Sequence, residues 1–122
     1  MKALFLCYSG CSTCRRAQKW LDANQISYDE RPIKEQHPSA DELRAWQEKS
    51  GLPLNKFFNT SGQKYRELGL SQRLAQMTDA EKLALLAADG MLVKRPLLVL
   101  AERVLVGFKE SEWESAVKEA KE

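Results

Sequence analysis

The sequence lacks the features that would mark a membrane, secreted or nucleic-acid-binding protein. It contains no run of about 20 apolar residues, so no membrane span is predicted. The opening stretch 1–8 has one lysine and a short apolar run with no cleavage pattern after it, so we expect no signal peptide and a cytoplasmic location. The net charge is only +2, from 19 basic and 17 acidic side chains, which predicts no direct nucleic-acid binding.

Cysteine and histidine are also scarce, with three and one copies in 122 residues. A small, odd number of cysteines argues against a disulfide scaffold. In a reducing cytoplasm a disulfide is more often catalytic or sensing than structural. The chain also lacks repeats, linkers and low-complexity segments. With 43% hydrophobic residues, it is expected to fold as a single domain over 1–122.

The most informative feature that is present is a pair of cysteines two residues apart, Cys11 and Cys14, which follow a short apolar run. A helix is predicted to begin near Ser12 or Thr13. The unpaired N–H groups and partial positive charge of a helix start favour a thiolate. We therefore predict that Cys11 is a nucleophile with a lowered pKa, and that Cys14, one turn further on, is the resolving thiol.

Other interpretations of these cysteines remain open from the residues alone. Cys11 could be an ordinary small apolar residue, and Cys14 a structural one on the inner face of the helix. A structural zinc site needs four ligands, and only Cys7 and His37 remain to complete the set, so the ligand count disfavours metal. Cys7 is interpreted as a core residue. Arg15, with its neighbour at 16, is expected to add positive charge near the thiolate.

Apolar periodicity predicts strands at 3–8, 26–30, 97–100 and 103–107, with a first helix that ends near residue 24. The order is strand–helix–strand, a helical insert over about 39–90, and strand–strand–helix. This order is typical of the thioredoxin-like fold, an α/β fold with a mixed four-stranded sheet flanked by helices, here with an inserted helical lobe.

Capping patterns give the boundaries of several helices. Capping boxes predict helix starts at Ser39 with Glu42, Thr78 with Glu81, and Ser111 with Glu114. Gly51 is predicted to end the first of these helices, and Gly90 to end the second in a left-handed conformation.

A second candidate constellation, Arg95 and Pro96, precedes the third strand. In this layout we expect a cis peptide bond that brings backbone beside the sulfur. Arg95 is predicted to reach the thiolate or an oxyanion bound over it, because a guanidinium fork matches tetrahedral oxyanions; the alternative is a solvated arginine. Asn59 lies in a polar turn, where it either hydrogen-bonds near the active loop or acts as a plain turn residue.

Together these residues resemble the arsenate reductase-like ArsC/Spx family of thioredoxin-fold proteins, and in particular a small Spx-related subgroup. The marks of the resemblance are Cys11–Arg15, Phe57–Gly62, Tyr65–Leu70, Asp89–Leu92, Lys94–Pro96 and Val106–Phe108. The resemblance covers nearly the whole chain. It implies a thioredoxin-like domain with an inserted helical lobe.

In glutaredoxin-dependent arsenate reductases of this family, one cysteine attacks arsenate and three arginines hold the oxyanion. Cys11 matches the cysteine, and Arg95 matches the arginine before the proline. Asn59 stands where a second arginine is expected, and Val106–Gly107 replaces the region of the third. These replacements remove electrostatic stabilisation that an oxyanion transition state needs. Family reductases often borrow the resolving thiol from glutathione, and here Cys14 is expected to supply it internally.

The resemblance implies an oxidoreductase that acts on a small oxyanion or a disulfide. It implies no bound cofactor, with glutathione and glutaredoxin, or thioredoxin, as the electron donor. Spx-type members instead use the cysteine pair as a redox switch and bind the C-terminal domain of the RNA polymerase α subunit, which is the alternative function. Around catalytic Cys11, Cys14 and Arg95, the predicted substrate-binding residues are Gly10, Ser12, Thr13, Arg15, Asn59 and Pro96.

Overall fold

The computed structural model describes residues 2–121. Its strands are β1 (Ala3–Cys7), β2 (Tyr28–Pro32), β3 (Leu97–Val99) and β4 (Val104–Val106). Its α-helices are α1 (Ser12–Ala23), α2 (Ala40–Ser50), α3 (Gln63–Glu67), α4 (Leu70–Arg73), α5 (Asp79–Ala88) and α6 (Glu110–Lys121), with 3-10 turns at Leu54–Phe57, Leu74–Gln76 and Gly90–Leu92. None of the helices in this part of the chain has the length and apolar character that crossing a bilayer requires.

The strands form a mixed sheet in the order β2-β1-β3-β4. β1 runs parallel to β2 and antiparallel to β3, and β4 pairs antiparallel with β3. The parallel pair needs a crossover connection, which α1 provides, whereas β3 and β4 are joined by a short turn. This mixed α/β sheet confirms the predicted fold class.

The alternation of side chains along β1 divides the interior into two cores. Phe5 and Cys7 point to the face covered by α1 and α6, and Leu6 points to the opposite face, against the helices between β2 and β3. Trp113 anchors the first core: it is fully buried, and its indole N–H donates to the Gly107 carbonyl at 2.9 Å. Cys7 therefore lies on the same side of the sheet as the helix that carries the cysteine pair.

The predicted capping boxes at α2 and α5 are confirmed. In each, the N-cap hydroxyl accepts from the third helical N–H while the glutamate accepts from the N-cap N–H: Ser39 with Glu42, and Thr78 with Glu81. Gly51 ends α2 in the left-handed conformation, with φ of 70°, as predicted. The capping box predicted at Ser111 is wrong, because α6 begins one residue earlier, at Glu110.

The second strand is displaced by two residues from its predicted position at 26–30. Ile26 is buried outside the strand, and its N–H bonds to the Leu21 carbonyl at the end of α1. The strand continues to Pro32, which lies opposite Cys7 in the register. Proline is tolerated there because β2 is an edge strand, where one side of the backbone has no sheet partner to bond.

The prediction that Gly90 ends a helix in the left-handed conformation is wrong. α5 ends at Ala88, and Gly90 is a buried residue that begins a 3-10 turn. A Cβ atom on residue 90 would lie 1.9 Å from the carbonyl oxygen of Ile33. Glycine is needed here because another segment of backbone passes against its Cα, not because of its φ angle.

Glu42 also ties α2 to β2 through an ion pair. Its carboxylate accepts hydrogen bonds from the Arg31 guanidinium at 2.7 and 3.0 Å. These bonds, with those at the Ser39 cap, lower the pKa of Glu42 from 4.5 to about 2. A lowered pKa in the folded state stabilises the protein above about pH 4.5, and this stabilisation is lost as the pH falls towards 2.

We expect Glu42→Gln to lower the free energy of unfolding by about 1 kcal/mol at pH 7, since the 37% exposed side chain is partly screened. Glutamine retains the cap but removes the charge. Urea unfolding of both proteins at pH 7, 5 and 3 measures the difference. It should be constant between pH 7 and 5 and smaller at pH 3. A difference that is as large at pH 3 as at pH 7 would show that the carboxylate charge is not responsible.

Candidate active site

The cysteine pair lies at the junction of β1 and α1. Cys11 is the N-cap of α1, with an extended backbone (φ −97°, ψ 118°), and its N–H donates to the Tyr8 carbonyl at 3.0 Å. Its side chain is partly exposed, whereas Cys14 is 3% exposed on the inner face of the helix. The interpretation of Cys11 as an ordinary buried apolar residue does not fit this position.

Opposing effects act on the Cys11 thiol. Burial raises its pKa. Four groups lower it: the N–H and the thiol of Cys14, the N–H of Thr13 and the positive charge of Arg95. Their combined effect exceeds that of burial, so the pKa of Cys11 is lowered. The side chain forms no close capping hydrogen bond, so the N–H groups of the first turn act on the sulfur as dipoles. The predicted lowering of the Cys11 pKa is confirmed in direction.

Cys14 has the opposite character. Burial, together with the neighbouring Cys11, raises the pKa of the Cys14 thiol to about 12, although the Tyr8 N–H, 3.4 Å from its sulfur, acts the other way. At neutral pH the exposed member of the pair ionises first, and the buried member retains its proton. This asymmetry makes Cys11 the more nucleophilic thiol of the pair, with Cys14 held beside it.

Cys7 is 9% exposed, which confirms its prediction as a core residue. Burial, with Glu30 and Cys11 adding to it, raises its pKa to about 11. It lines a cleft of about 130 Å³ together with Cys14 and Arg15, a juxtaposition that the sequence did not indicate. Within residues 2–121, no three His, Cys, Asp or Glu side chains come together as a set of metal ligands.

The Arg95–Pro96 peptide bond is cis, as expected. Arg95 is not a solvated side chain: one terminal nitrogen donates to the carbonyls of Met91 and Val93 at 3.2 and 3.3 Å. Its Nε is buried without a hydrogen-bond partner. The guanidinium carbon lies 5.2 Å from the centre of the Tyr8 ring. Arg95 therefore acts on Cys11 through its charge, from a place fixed by backbone carbonyls and an aromatic ring.

Contacts with residues 57–59 hold the segment that leads to Arg95. Backbone contacts join the two segments: Asn59 N–H to the Leu92 carbonyl at 2.8 Å, Lys94 N–H to the Phe57 carbonyl at 2.7 Å, and a bridge between Phe58 and Val93. The residue before Arg95 is thus hydrogen-bonded to the inserted helical segment.

A cleft of about 370 Å³ opens beside Arg95. Its lining is of mixed charge: Arg95 and Lys64 give it cationic groups, Glu67 and Asp89 give it carboxylates, and Asn59 and Gln63 give it amides. The backbone of Asn59 forms a turn, because its carbonyl accepts a hydrogen bond from the Gly62 N–H at 3.1 Å. Asn59 also lines this cleft. Cys11 does not line the cleft, so the structure brings Asn59 to Arg95 without bringing it to the sulfur.

The remaining predicted binding residues are distributed around the loop. Arg15 turns back to donate to the Ser9 carbonyl at 3.0 Å and faces the cleft beside Cys14, so the cation that lowers the Cys11 pKa is Arg95. Gly10 and Ser12 are exposed, and Pro96 is buried at the start of β3.

Sequence reasoning missed Tyr8. This residue touches all three predicted catalytic residues, through its N–H, its carbonyl and its ring. The sequence showed it only as the end of an apolar run, and no motif marks it.

Comparison with known proteins agrees with this geometry. Residues 6–116 match the pattern of the ArsC family. A solved structure from Bacteroides fragilis, described as ArsC family related, is 56% identical, with a TM-score of 0.92 over 94% of this chain and 97% of that one. A Streptococcus mutans structure described as a "possible arsenate reductase" is 47% identical, with a TM-score of 0.84 over 92% and 97% of the two chains.

One relative has a regulatory name. The regulatory protein MgsR of Bacillus subtilis is 30% identical over 88% of this chain and 84% of its own length. The family match covers most of the chain and includes the last two residues of β1, all of α1 and the segment around Arg95. This chain belongs to the ArsC family.

Proposed function

We propose that this protein is a thiol–disulfide redox enzyme of the arsenate reductase type, in which Cys11 attacks the substrate and Cys14 resolves the intermediate. The observation that carries the proposal is the contrast between the two thiols. Cys11 is partly exposed at a helix start with a lowered pKa, and Cys14 is buried beside it with a raised one. The arsenate reductase description of the Streptococcus mutans neighbour gives further support.

With an oxyanion such as arsenate, the Cys11 thiolate forms a sulfur–arsenic(V) bond as one hydroxyl group of the protonated arsenate takes up a proton from solvent and leaves as water. The Cys14 thiol then loses its proton and attacks the Cys11 sulfur. The sulfur–arsenic bond breaks, and its electron pair remains on arsenic, now As(III). The two thiols have given up two electrons and form a disulfide, which an external dithiol such as thioredoxin, or glutathione with glutaredoxin, reduces.

A disulfide substrate follows the same sequence. Cys11 attacks one sulfur and the first thiolate leaves; Cys14 attacks the mixed disulfide and the second thiolate leaves. In both cases Arg95 stabilises negative charge near the reacting sulfur, at a distance set by its carbonyl partners. Asn59 stands where the family reductases have a second arginine, so an oxyanion would meet one guanidinium fewer here, which favours a disulfide substrate.

A turnover assay tests the proposal. Arsenate and a small disulfide are each supplied with thioredoxin, or with glutathione and glutaredoxin, to the wild type and to cysteine variants. We expect turnover that depends on Cys11 with at least one of these pairs. Absence of turnover with every pair, in protein whose thiols are shown to be reduced, would refute the enzymatic proposal.

Replacing Cys14 tests its role separately. We expect Cys14→Ser to react once with a small disulfide and to stop as a stable mixed disulfide on Cys11, because the resolving thiol is missing. Mass spectrometry of the intact protein measures the adduct. Cys7→Ser is the matched control, since it also removes a buried thiol, and it should release its adduct like the wild type. Rapid release from Cys14→Ser would contradict the assignment.

The similarity to MgsR supports a second candidate function. In it, the same cysteine pair is a sensor, and the protein binds the C-terminal domain of the RNA polymerase α subunit. A pull-down with that domain, using reduced and oxidised protein, separates the two functions. Binding that changes with the redox state, together with silence in the turnover assay, would favour the regulator. No binding in either state would exclude it.

A further inference from the structure

Tyr8 contacts every member of the proposed catalytic set. It follows the last residue of β1, and its backbone holds both cysteines. Its N–H lies 3.4 Å from the Cys14 sulfur, and its carbonyl accepts the Cys11 N–H at 3.0 Å. The backbone of any non-proline residue at position 8 could make these contacts, so they do not explain why the side chain is aromatic.

The ring has a separate contact, with Arg95. The guanidinium carbon lies 5.2 Å from the ring centre, within the range of a cation–π interaction. The carbonyls of Met91 and Val93 accept hydrogen bonds from one terminal nitrogen, and these bonds alone do not fix the rest of the guanidinium. A ring against the guanidinium removes this freedom and keeps the charge in one place. The buried Nε of Arg95 has no hydrogen-bond partner, so the ring is the contact that holds this side of the group.

The loop at Gly10 passes very close to the Tyr8 ring. A Cβ on residue 10 would lie 2.7 Å from Cε2 of the Tyr8 ring and 3.2 Å from Cζ. The loop can pass over the ring because residue 10 has no side chain. A methyl group there would require the loop or the ring to shift, and a shift of the ring would change its contact with Arg95.

We propose that Tyr8 is a positioning residue, whose ring holds the Arg95 guanidinium at the place from which its charge acts on the Cys11 sulfur. This inference rests on the proposed function of Cys11 as the attacking thiolate. In addition, loop residues 8 and 10 act on Cys11 through the cation at position 95, which is distant from them in the sequence. Phenylalanine at position 8 should serve as well as tyrosine, because the ring face makes the contact.

The test compares iodoacetamide alkylation of Cys11 against pH in Tyr8→Leu, Tyr8→Phe, Arg95→Met and the Tyr8→Leu/Arg95→Met double variant. We expect Tyr8→Leu to slow alkylation at pH 7 about two- to fivefold and to move the pH profile upwards, as loss of a cation–π contact predicts. Tyr8→Phe should match the wild type. In the Arg95→Met background, Tyr8→Leu should add nothing, since the charge that it positions is already gone.

Two further measurements keep the test decisive. Gly10→Ala leaves Tyr8 in place and should displace its ring, so it should shift the profile in the same direction as Tyr8→Leu if the latter proves unstable. The Arg95 Nε–H resonance, assigned by its loss in Arg95→Met, should move in Tyr8→Leu and stay in Tyr8→Phe, whatever the reactivity of Cys11.

The outcomes separate this inference from the function on which it rests. If Arg95→Met slows Cys11 and Tyr8→Leu does not, the role of Tyr8 is overturned and the proposed function stands. If Tyr8→Leu slows Cys11 equally in the presence and absence of Arg95, its effect is merely structural and the inference fails. If wild-type Cys11 reacts no faster than an unperturbed thiol, the proposed function and this inference fall together.

Discussion

Cys11→Ser is expected to remove almost all thiol reactivity of the folded protein at pH 7. A thiol of pKa 9 is about 1% ionised at that pH, and Cys11 lies below this value, whereas the pKa of Cys7 is raised to about 11 and that of Cys14 to about 12. The remaining thiols are therefore ionised at least about a hundredfold less, and both are buried. Alkylation by iodoacetamide, followed by mass spectrometry, should slow by about a hundredfold or more.

The pH profile gives the sign of the effect. Because its pKa is lowered, wild-type Cys11 should reach its maximal alkylation rate at a lower pH than an unperturbed thiol. Denatured wild-type protein is the matched control, since its three cysteines should react alike. A Cys11→Ser variant that still reacts rapidly when folded would mean that Cys7 or Cys14 becomes accessible through opening of the domain.

Gly90→Ala is expected to be the most damaging methyl addition in the chain. Its Cβ would be placed 1.9 Å from the carbonyl oxygen of Ile33, and backbone cannot move aside as a side chain can. Overpacking of this kind costs about 3 kcal/mol, towards the upper end of its usual range. A loss of this size in a domain of this length corresponds to a fall in Tm of roughly 10 °C.

Gly69→Ala is the matched control for that experiment. Gly69 has a φ of 62° and no atom within 4 Å of an added Cβ, so alanine there costs only the left-handed backbone conformation, about 1 kcal/mol. Thermal unfolding of the two variants separates steric from conformational cost. If the two lose equal stability, the close approach at Ile33 is not what requires glycine at position 90.

Local signals predicted the parts of the fold that local interactions decide. The capping boxes at Ser39 and Thr78 specify their own hydrogen bonds, so two helix starts could be identified to the residue. The cysteine pair between a strand and a helix could likewise be placed at a helix start. The cis bond before Pro96 was expected from the order of elements, and the structure has it.

The parts that the sequence did not reveal depend on contacts between distant segments. Gly90 is set by the approach of Ile33, 57 positions earlier, and no pattern near residue 90 encodes it. The role of Tyr8 depends on contacts of its ring with Arg95 and Gly10. Arg95 is distant in the sequence and reaches the ring only in the folded chain. The end of β2 was misplaced because Pro32 suggests a break, and only the edge position of the strand makes it acceptable.

The backbone joints between the inserted helices and the residue before Arg95 have an evolutionary consequence. The cysteine pair lies at the junction of β1 and α1, but the segment that leads to Arg95 is held by backbone contacts to Phe57, Phe58 and Asn59, between β2 and β3. Substitutions in the segment between β2 and β3 can therefore alter the reactivity of Cys11 without any change in β1 or α1.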